Sequence, residues 1–181
     1  MSTIYIGIDN GVTGSLGILE ETGKVLHFES IPVFKEQDYT KKKAQVSRID
    51  TKALKDEIQF HTADRYQINT DYEPVPVMQF TARVVLERPM VNPTRFVATK
   101  SALRALEATL IALEQLNLGH QFIDSKEWQR DMLPKGCTGA DLKKASHDIG
   151  IRLFPEVKGM IKKIGDADGL LIAEYARKNR L

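Results

Sequence analysis

Apolar and polar positions along this chain fall into short blocks whose spacing changes from strand-like to helical. Residues 3 to 9 are a nearly unbroken apolar run, Thr3-Ile4-Tyr5-Ile6-Gly7-Ile8, that stops on Asp9, and they read as a buried strand. Asn10-Gly11 follows, a strong hairpin signal because both residues tolerate positive φ. Residues 14 to 20 and 24 to 31 supply two further strands around Glu21-Thr22-Gly23, and Pro32 ends this antiparallel opening. The polar, lysine-rich stretch from Val33 to Arg48 reads as a loop. Asp50 stands at an N-cap position before Ala53, Leu54, Ile58 and Phe60, predicting a helix to about His61.

Residues 62 to 81 carry Asn69, Asp71, Pro74 and Pro76 and read as an insertion with a turn or small hairpin. Ala82 to Glu87 is a fourth strand, again ending on an acid. After the loop of Pro89, Asn92 and Pro93, Ala98 to Leu116 has a strong helical period through Leu103, Leu106, Leu110, Ile111 and Leu113. Gln121 to Asp124 is a short fifth strand. Helices over Ser125–Met132, Gly139–Phe154 and Asp166 to about Lys178 complete the pattern.

The order βββαβαβα predicts an α/β fold in which a helical crossover sets strands one and four parallel. Asp9 and Glu87 then emerge side by side at the carboxyl edge of a mixed sheet, where α/β folds commonly place ligands. With 181 residues, 42% hydrophobic and 28% charged, the chain is expected to be one soluble domain, 1–181, with the insertion at 62–81. No apolar stretch approaches the roughly 20 residues needed to cross a bilayer, and no signal-peptide pattern opens the chain, so a cytoplasmic location and no membrane partner are expected.

Acids at the ends of buried strands are costly unless a cation sits among them. Asp9, Glu87 and Asp168 come from three separate segments, as a two-ion phosphodiester site with ions about 3.5 to 4 Å apart requires. Asp166 is a candidate fourth ligand. Residues two apart on a helix point roughly 200° apart, so Asp166 joins Asp168 only from the turn before the helix; an N-cap role is its plain alternative. Asp124 also ends a strand, but helix capping accounts for it. Cys137 is the single cysteine, which excludes an internal disulfide or a multi-cysteine zinc site. The histidines, His27, His61, His120 and His147, have no HxxxH spacing and read as surface or structural residues. An oxygen-only ligand set favours Mg2+, with Mn2+ as the alternative.

A net charge of +2 does not by itself predict nucleic-acid binding, but cations gather at Lys41 to Lys43, Arg88 to Arg104 and Lys135 to Lys163. Arg88 and Arg95 lie on the loop that leaves Glu87 and suit backbone phosphates. Phe96 or Met90 can wedge against an unstacked base, or Phe96 can staple the helix behind it. Lys135, beside Gly136, is a further phosphate-contact candidate, and Lys41 to Lys43 are either a contacting arm or a solvated loop.

These residues resemble a known family. Ile6-Gly7-Ile8-Asp9-Asn10-Gly11-Val12-Thr13-Gly14, Val85-Leu86-Glu87, Ser125-Lys126-Glu127-Trp128-Gln129 and Asp168-Gly169-Leu170-Leu171-Ile172-Ala173 are similar, in order, to the motifs of RuvC-like Holliday junction resolvases. The resemblance implies an RNase H-like fold with a five-stranded mixed sheet flanked by helices. It also implies a homodimeric, Mg2+-dependent endonuclease that resolves four-way DNA junctions by paired nicks, with Asp9, Glu87 and Asp168 as catalytic acids. Lys143 and Lys144 fall where the family carries a basic active-site residue. The chain departs from the family where two aspartates normally stand three apart: Gly165 fills the earlier position, and Asp166 precedes Asp168 by two. The small residues Ala102, Ala105, Ala108 and Ala112 on the long helix fit a two-fold interface, or simple core burial.

Other readings share these residues. A nuclease of the same fold acting on flaps, other branched DNA or RNA is the nearest. The opening also resembles the first phosphate loop of actin-like sugar kinases and ATPases, which need two such lobes. A DNA-binding protein with a degraded site is the third.

Overall fold

The computed structural model describes residues 2–37, 41, 43–62, 65–68, 74–78 and 80–181. Its centre is a five-stranded sheet built from β1 (Ser2–Ile8), β2 (Ser15–Glu20), β3 (Val25–Ser30), β8 (Phe80–Glu87) and β9 (His120–Ile123), in the spatial order β3-β2-β1-β8-β9. β2 runs antiparallel to both of its neighbours, β1 and β3, whereas β8 pairs parallel with both β1 and β9. Helices α1 (Thr51–Thr62) and α2 (Phe96–Gln115) cover one face. The other carries α3 (Ser125–Met132), α4 (Ala140–Leu153), α5 (Lys158–Ile164) and α6 (Asp168–Asn179). The result is a mixed five-stranded sheet between two helical layers, an α/β fold.

Period-two alternation assigns the faces. Ile4, Ile6, Ile8, Val84 and Leu86 join Leu54, Ile58, Ala105, Ala112 and Leu113 in one core. Tyr5, Val85 and Leu19 point the other way, into a core with Trp128, Leu170, Ile172 and Ala173. Helix α6 lies close on that second face because glycines remove the side chains between them. A Cβ on Gly7 would strike the Gly169 carbonyl and the Ala173 amide, and one on Gly169 would meet the Ser15 carbonyl at 2.6 Å. The Ser15 hydroxyl completes the junction by accepting the Gly169 N–H at 2.9 Å.

Several expectations change. Val33 to Arg48 is not a loop: β4 (Val33–Gln37) and β5 (Gln45–Ile49) form an antiparallel hairpin, with mostly exposed residues on β4 that leave no burial pattern to read. Within 62–81, β6 (Arg65–Ile68) and β7 (Pro74–Met78) pair as a small two-stranded sheet, and the turn between them lies outside the described residues. A helix unforeseen in the sequence, α5, closes on Gly165 at φ 101°, a left-handed C-cap that glycine alone adopts without strain. Asn10 and Gly11 do not form a positive-φ hairpin turn. The connection runs from Asp9 to Gly14, while Asn10 reaches α2, donating to the Ala102 carbonyl at 3.5 Å and accepting from Thr109 Oγ1 at 3.4 Å. The Asp50 cap holds: its Oδ1 accepts the Ala53 N–H at 3.0 Å. No helix among the described residues is long and apolar enough to cross a membrane.

Candidate active site

Asp9 directly follows β1 and Glu87 is the last residue of β8, each one position past the paired Ile8 and Leu86. Alternation turns both side chains toward the α6 face, at the carboxyl edge of the two parallel strands. Helix α6 begins at Asp168 with Ala167, not Asp166, at its N-cap position, so Asp166 lies in the turn ahead of the helix. The geometric condition for Asp166 to share a site with Asp168 is therefore met. Asp166 is buried, and its Oδ1 accepts the Asp168 N–H at 3.4 Å.

The acids feel one another strongly. Burial first, then the charges of Glu87, Asp168 and Asp166, push the Asp9 carboxyl well above the usual range, with only Lys143 opposing. Burial lifts Glu87 to about 7, against a hydrogen bond from Trp128 that lowers it and the Asp168 charge that raises it further. Asp168 is raised to about 6 by burial and by Asp166, with Ser146 and Lys143 working the other way. A group of acids that resists joint ionisation is one that gains from a cation. No three of these carboxylates offer oxygens that all lie within 4.8 Å of one another, however. Among the described residues, the set of three ligand atoms lying within 4.8 Å of one another is elsewhere, at His27, Glu57 and His61.

Neighbours fix the acids in place. Trp128 is fully buried on α3 and donates its indole N–H to Glu87 Oε2 at 2.8 Å. Ser146 on α4, also buried, donates to Asp168 Oδ1 and accepts the Ala167 N–H at 3.0 Å, tying α4 to the entrance of α6. The sequence gives no signal for Ser146, since an isolated helical serine has no pattern of its own. Of the two lysines, Lys143 faces the acids, with Nζ 3.6 Å from Asp166 Oδ2. Lys144 lies away from them, lining a shallow cavity with Lys135 and Gly136.

The loop leaving Glu87 is held by Asn92, whose Oδ1 accepts from the Thr94 backbone and hydroxyl at 3.0 and 2.7 Å, while Thr99 Oγ1 donates to its carbonyl at 2.8 Å. Arg88 stands over the Phe122 ring, 5.5 Å from its centroid, with Nε 3.7 Å from Asp124. Asp124 occupies the N-cap position of α3 without a side-chain capping bond, so its carboxylate serves Arg88 instead. Phe96 is 71% exposed and Met90 81%, which rules out Phe96 as a buried staple. Arg95 and Lys135 are exposed as well. Lys42 lies outside the described residues, and its neighbours Lys41 and Lys43 are exposed. On α2, Ala105 and Ala112 are spent on the core, and Leu103 and Ile111 remain exposed at 45% and 39%.

No family model matches the chain. No curated protein matches it by sequence. Among solved structures it is similar to "T. thermophilus RuvC in complex with Holliday junction substrate", at 17% identity and a TM-score of 0.49, covering 98% of this chain and 95% of that one. It is also similar to "Thermus thermophilus RuvC structure", at 16% identity and a TM-score of 0.43, covering 99% and 96%.

Proposed function

We propose that the protein is a metal-dependent endonuclease that resolves four-way DNA junctions, with Asp9, Glu87, Asp166 and Asp168 as the metal-holding acids. The observation that carries the proposal is the placement of these four carboxylates at one sheet edge, where burial and neighbouring acid charges raise the proton affinity of Asp9, Glu87 and Asp168. An all-oxygen donor set suits Mg2+, and Mn2+ shares that preference. Divalent cations held by these acids would supply the positive charge that a scissile phosphodiester needs as it is hydrolysed.

This chain's residues do the remainder. Trp128 and Ser146 hold Glu87 and Asp168 in orientation. Lys143, already at the acids' edge, is placed to balance charge on the phosphate, and that assignment favours it over Lys144. Arg88, Arg95 and Lys135 offer phosphate contacts that position DNA without reading its sequence. The exposed Phe96 and Met90, on the loop and first helical turn beyond Glu87, are placed to stack on bases unpaired at a branch point. A homodimer, with Leu103 and Ile111 of α2 in its interface, would present two sites for paired nicks.

Synthetic four-way, flap, duplex and RNA–DNA hybrid substrates, incubated with the protein and Mg2+, test the reading together. Symmetric nicks confined to the four-way junction are expected. Preferential cutting of flaps or hybrids would instead assign a different nuclease specificity to the same site, and cleavage of none would remove the enzymatic reading.

A further inference from the structure

On the opposite face of the sheet from the four acids, His27, Glu57 and His61 bring together one ligand atom each, all within 4.8 Å of one another. Their placement follows from local structure. Glu57 and His61 are four residues apart on α1, one turn along the same helical face. His27 comes from the edge strand β3, where the pairing slips: Ile18 faces His27 but Leu19 faces Val25, leaving Leu26 as an extra, bulged residue. A bulge re-aims the side chains beside it. Here His27 lies opposite Ile18 on the α1 side of the sheet, and Leu26 packs into that same core.

His27 Nε2 is buried and has no hydrogen-bond partner among the described residues. Leaving such a nitrogen unsatisfied costs about 1–3 kcal/mol. Glu57 Oε2, at 3.7 Å, is beyond hydrogen-bond length, and the His27 and His61 rings sit 5.0 Å apart, tilted by 42°. Tetrahedral Zn2+ with bonds of about 2.0–2.1 Å spaces its ligand atoms about 3.4 Å apart. The observed separations need only a small closure of side chains at the surface of α1, where the Glu57 side chain is 44% exposed.

We infer that His27, Glu57 and His61 form a second metal site, for a borderline divalent transition ion of the Zn2+ type, which fastens α1 to the edge strand β3. Two imidazoles and one carboxylate select this class over Mg2+, whereas the all-oxygen acid cluster has the reverse preference. The site stands independently of the proposed nuclease reading, because none of its ligands belongs to the acid cluster and the sheet separates the two.

Co2+ serves as the probe, since its visible absorption is intense in a four-coordinate His/carboxylate site and weak in an octahedral oxygen site. The metal-free wild-type protein is expected to bind one Co2+ with the intense spectrum, and Zn2+ should displace it stoichiometrically. Asp9→Asn should leave that spectrum unchanged. His61→Gln, near the exposed end of α1, should retain the fold by circular dichroism and weaken Zn2+ by more than the ~10–100-fold typical of losing a residue that only hydrogen-bonds to a metal ligand. Glu57→Gln should do likewise. A Co2+ spectrum that is weak in wild type, or that persists unchanged in both His61→Gln and Glu57→Gln, would overturn the inference.

Discussion

Glu87→Gln isolates the electrostatic cost that the acid cluster imposes on the fold. The carboxyl titrates near 7 in the folded protein and at 4.5 in an unstructured chain. A folded-state pKa above the unfolded one means that the native state holds the proton more tightly. Stability from this group is therefore fully present below about pH 4.5 and is lost as the pH climbs through about 7. At pH 8 the loss amounts to about 3 kcal/mol, from 1.36 kcal/mol per pH unit. Relaxation of the neighbouring acids reduces what a substitution recovers, so a gain of about 1–3 kcal/mol is expected, or roughly 2–10 °C in Tm for a chain of this size. Glutamine keeps an acceptor for the Trp128 indole N–H, so the hydrogen bond at 2.8 Å need not be lost. Thermal unfolding in EDTA at pH 8 and pH 5 reads this directly. The variant should be more stable than wild type at pH 8 and nearly equal to it at pH 5. A gain of the same size at both values, or none at pH 8, would refute the argument that ionised Glu87 strains the site.

Adding Mg2+ should raise the Tm of the wild-type protein more at pH 8 than at pH 5.5, because Glu87 and Asp168, raised to about 7 and about 6, must lose protons to bind it. Equal shifts at the two pH values would contradict this. Lys143→Gln should slow junction cleavage at least tenfold with binding little changed, whereas Lys144→Gln should leave the rate within about twofold, as expected of a residue remote from the acids. Trp128→Phe should cost about 1–3 kcal/mol in denaturant unfolding through lost packing and an unpaired Glu87 oxygen, and should weaken Mn2+ binding. Gly7→Ala should destabilise by more than about 3 kcal/mol, since its Cβ would meet α6 backbone that cannot move aside cheaply.

The strands that carry the acids were legible because each is a buried apolar run with a charge at its end, and two such runs joined by a helical crossover have few topologies open to them. Asp50 was legible for a similar reason, as a capping residue directly ahead of a periodic helix. The β4–β5 hairpin was not, because the mostly exposed β4 and the partly buried β5 lack the regular alternation that burial of one face imposes. Asn10-Gly11 misled: a dipeptide suited to positive φ is also a small polar pair, and the tertiary contact of Asn10 with α2 prevailed over the local turn. Gly165 looked like a missing aspartate and is instead the left-handed cap of α5, while Asp166 reaches the acids from the turn beyond it. Lys143 and Lys144 could be separated only by the rotation of α4 against α6. The histidines were passed over because His-to-His spacing carries no signal here, although Glu57 and His61 stand one helical turn apart; the third member, His27, arrives across space from β3.

Asp9 is the acid whose carboxyl the other three perturb together, so Asp9→Asn bears most directly on the central assignment. The measurement is cleavage of an end-labelled four-way junction in Mg2+, with binding to the same junction followed in parallel. The account predicts that the variant binds the junction as wild type does and produces no nicks, whereas nicking at the wild-type rate would show that the four acids are not the catalytic centre.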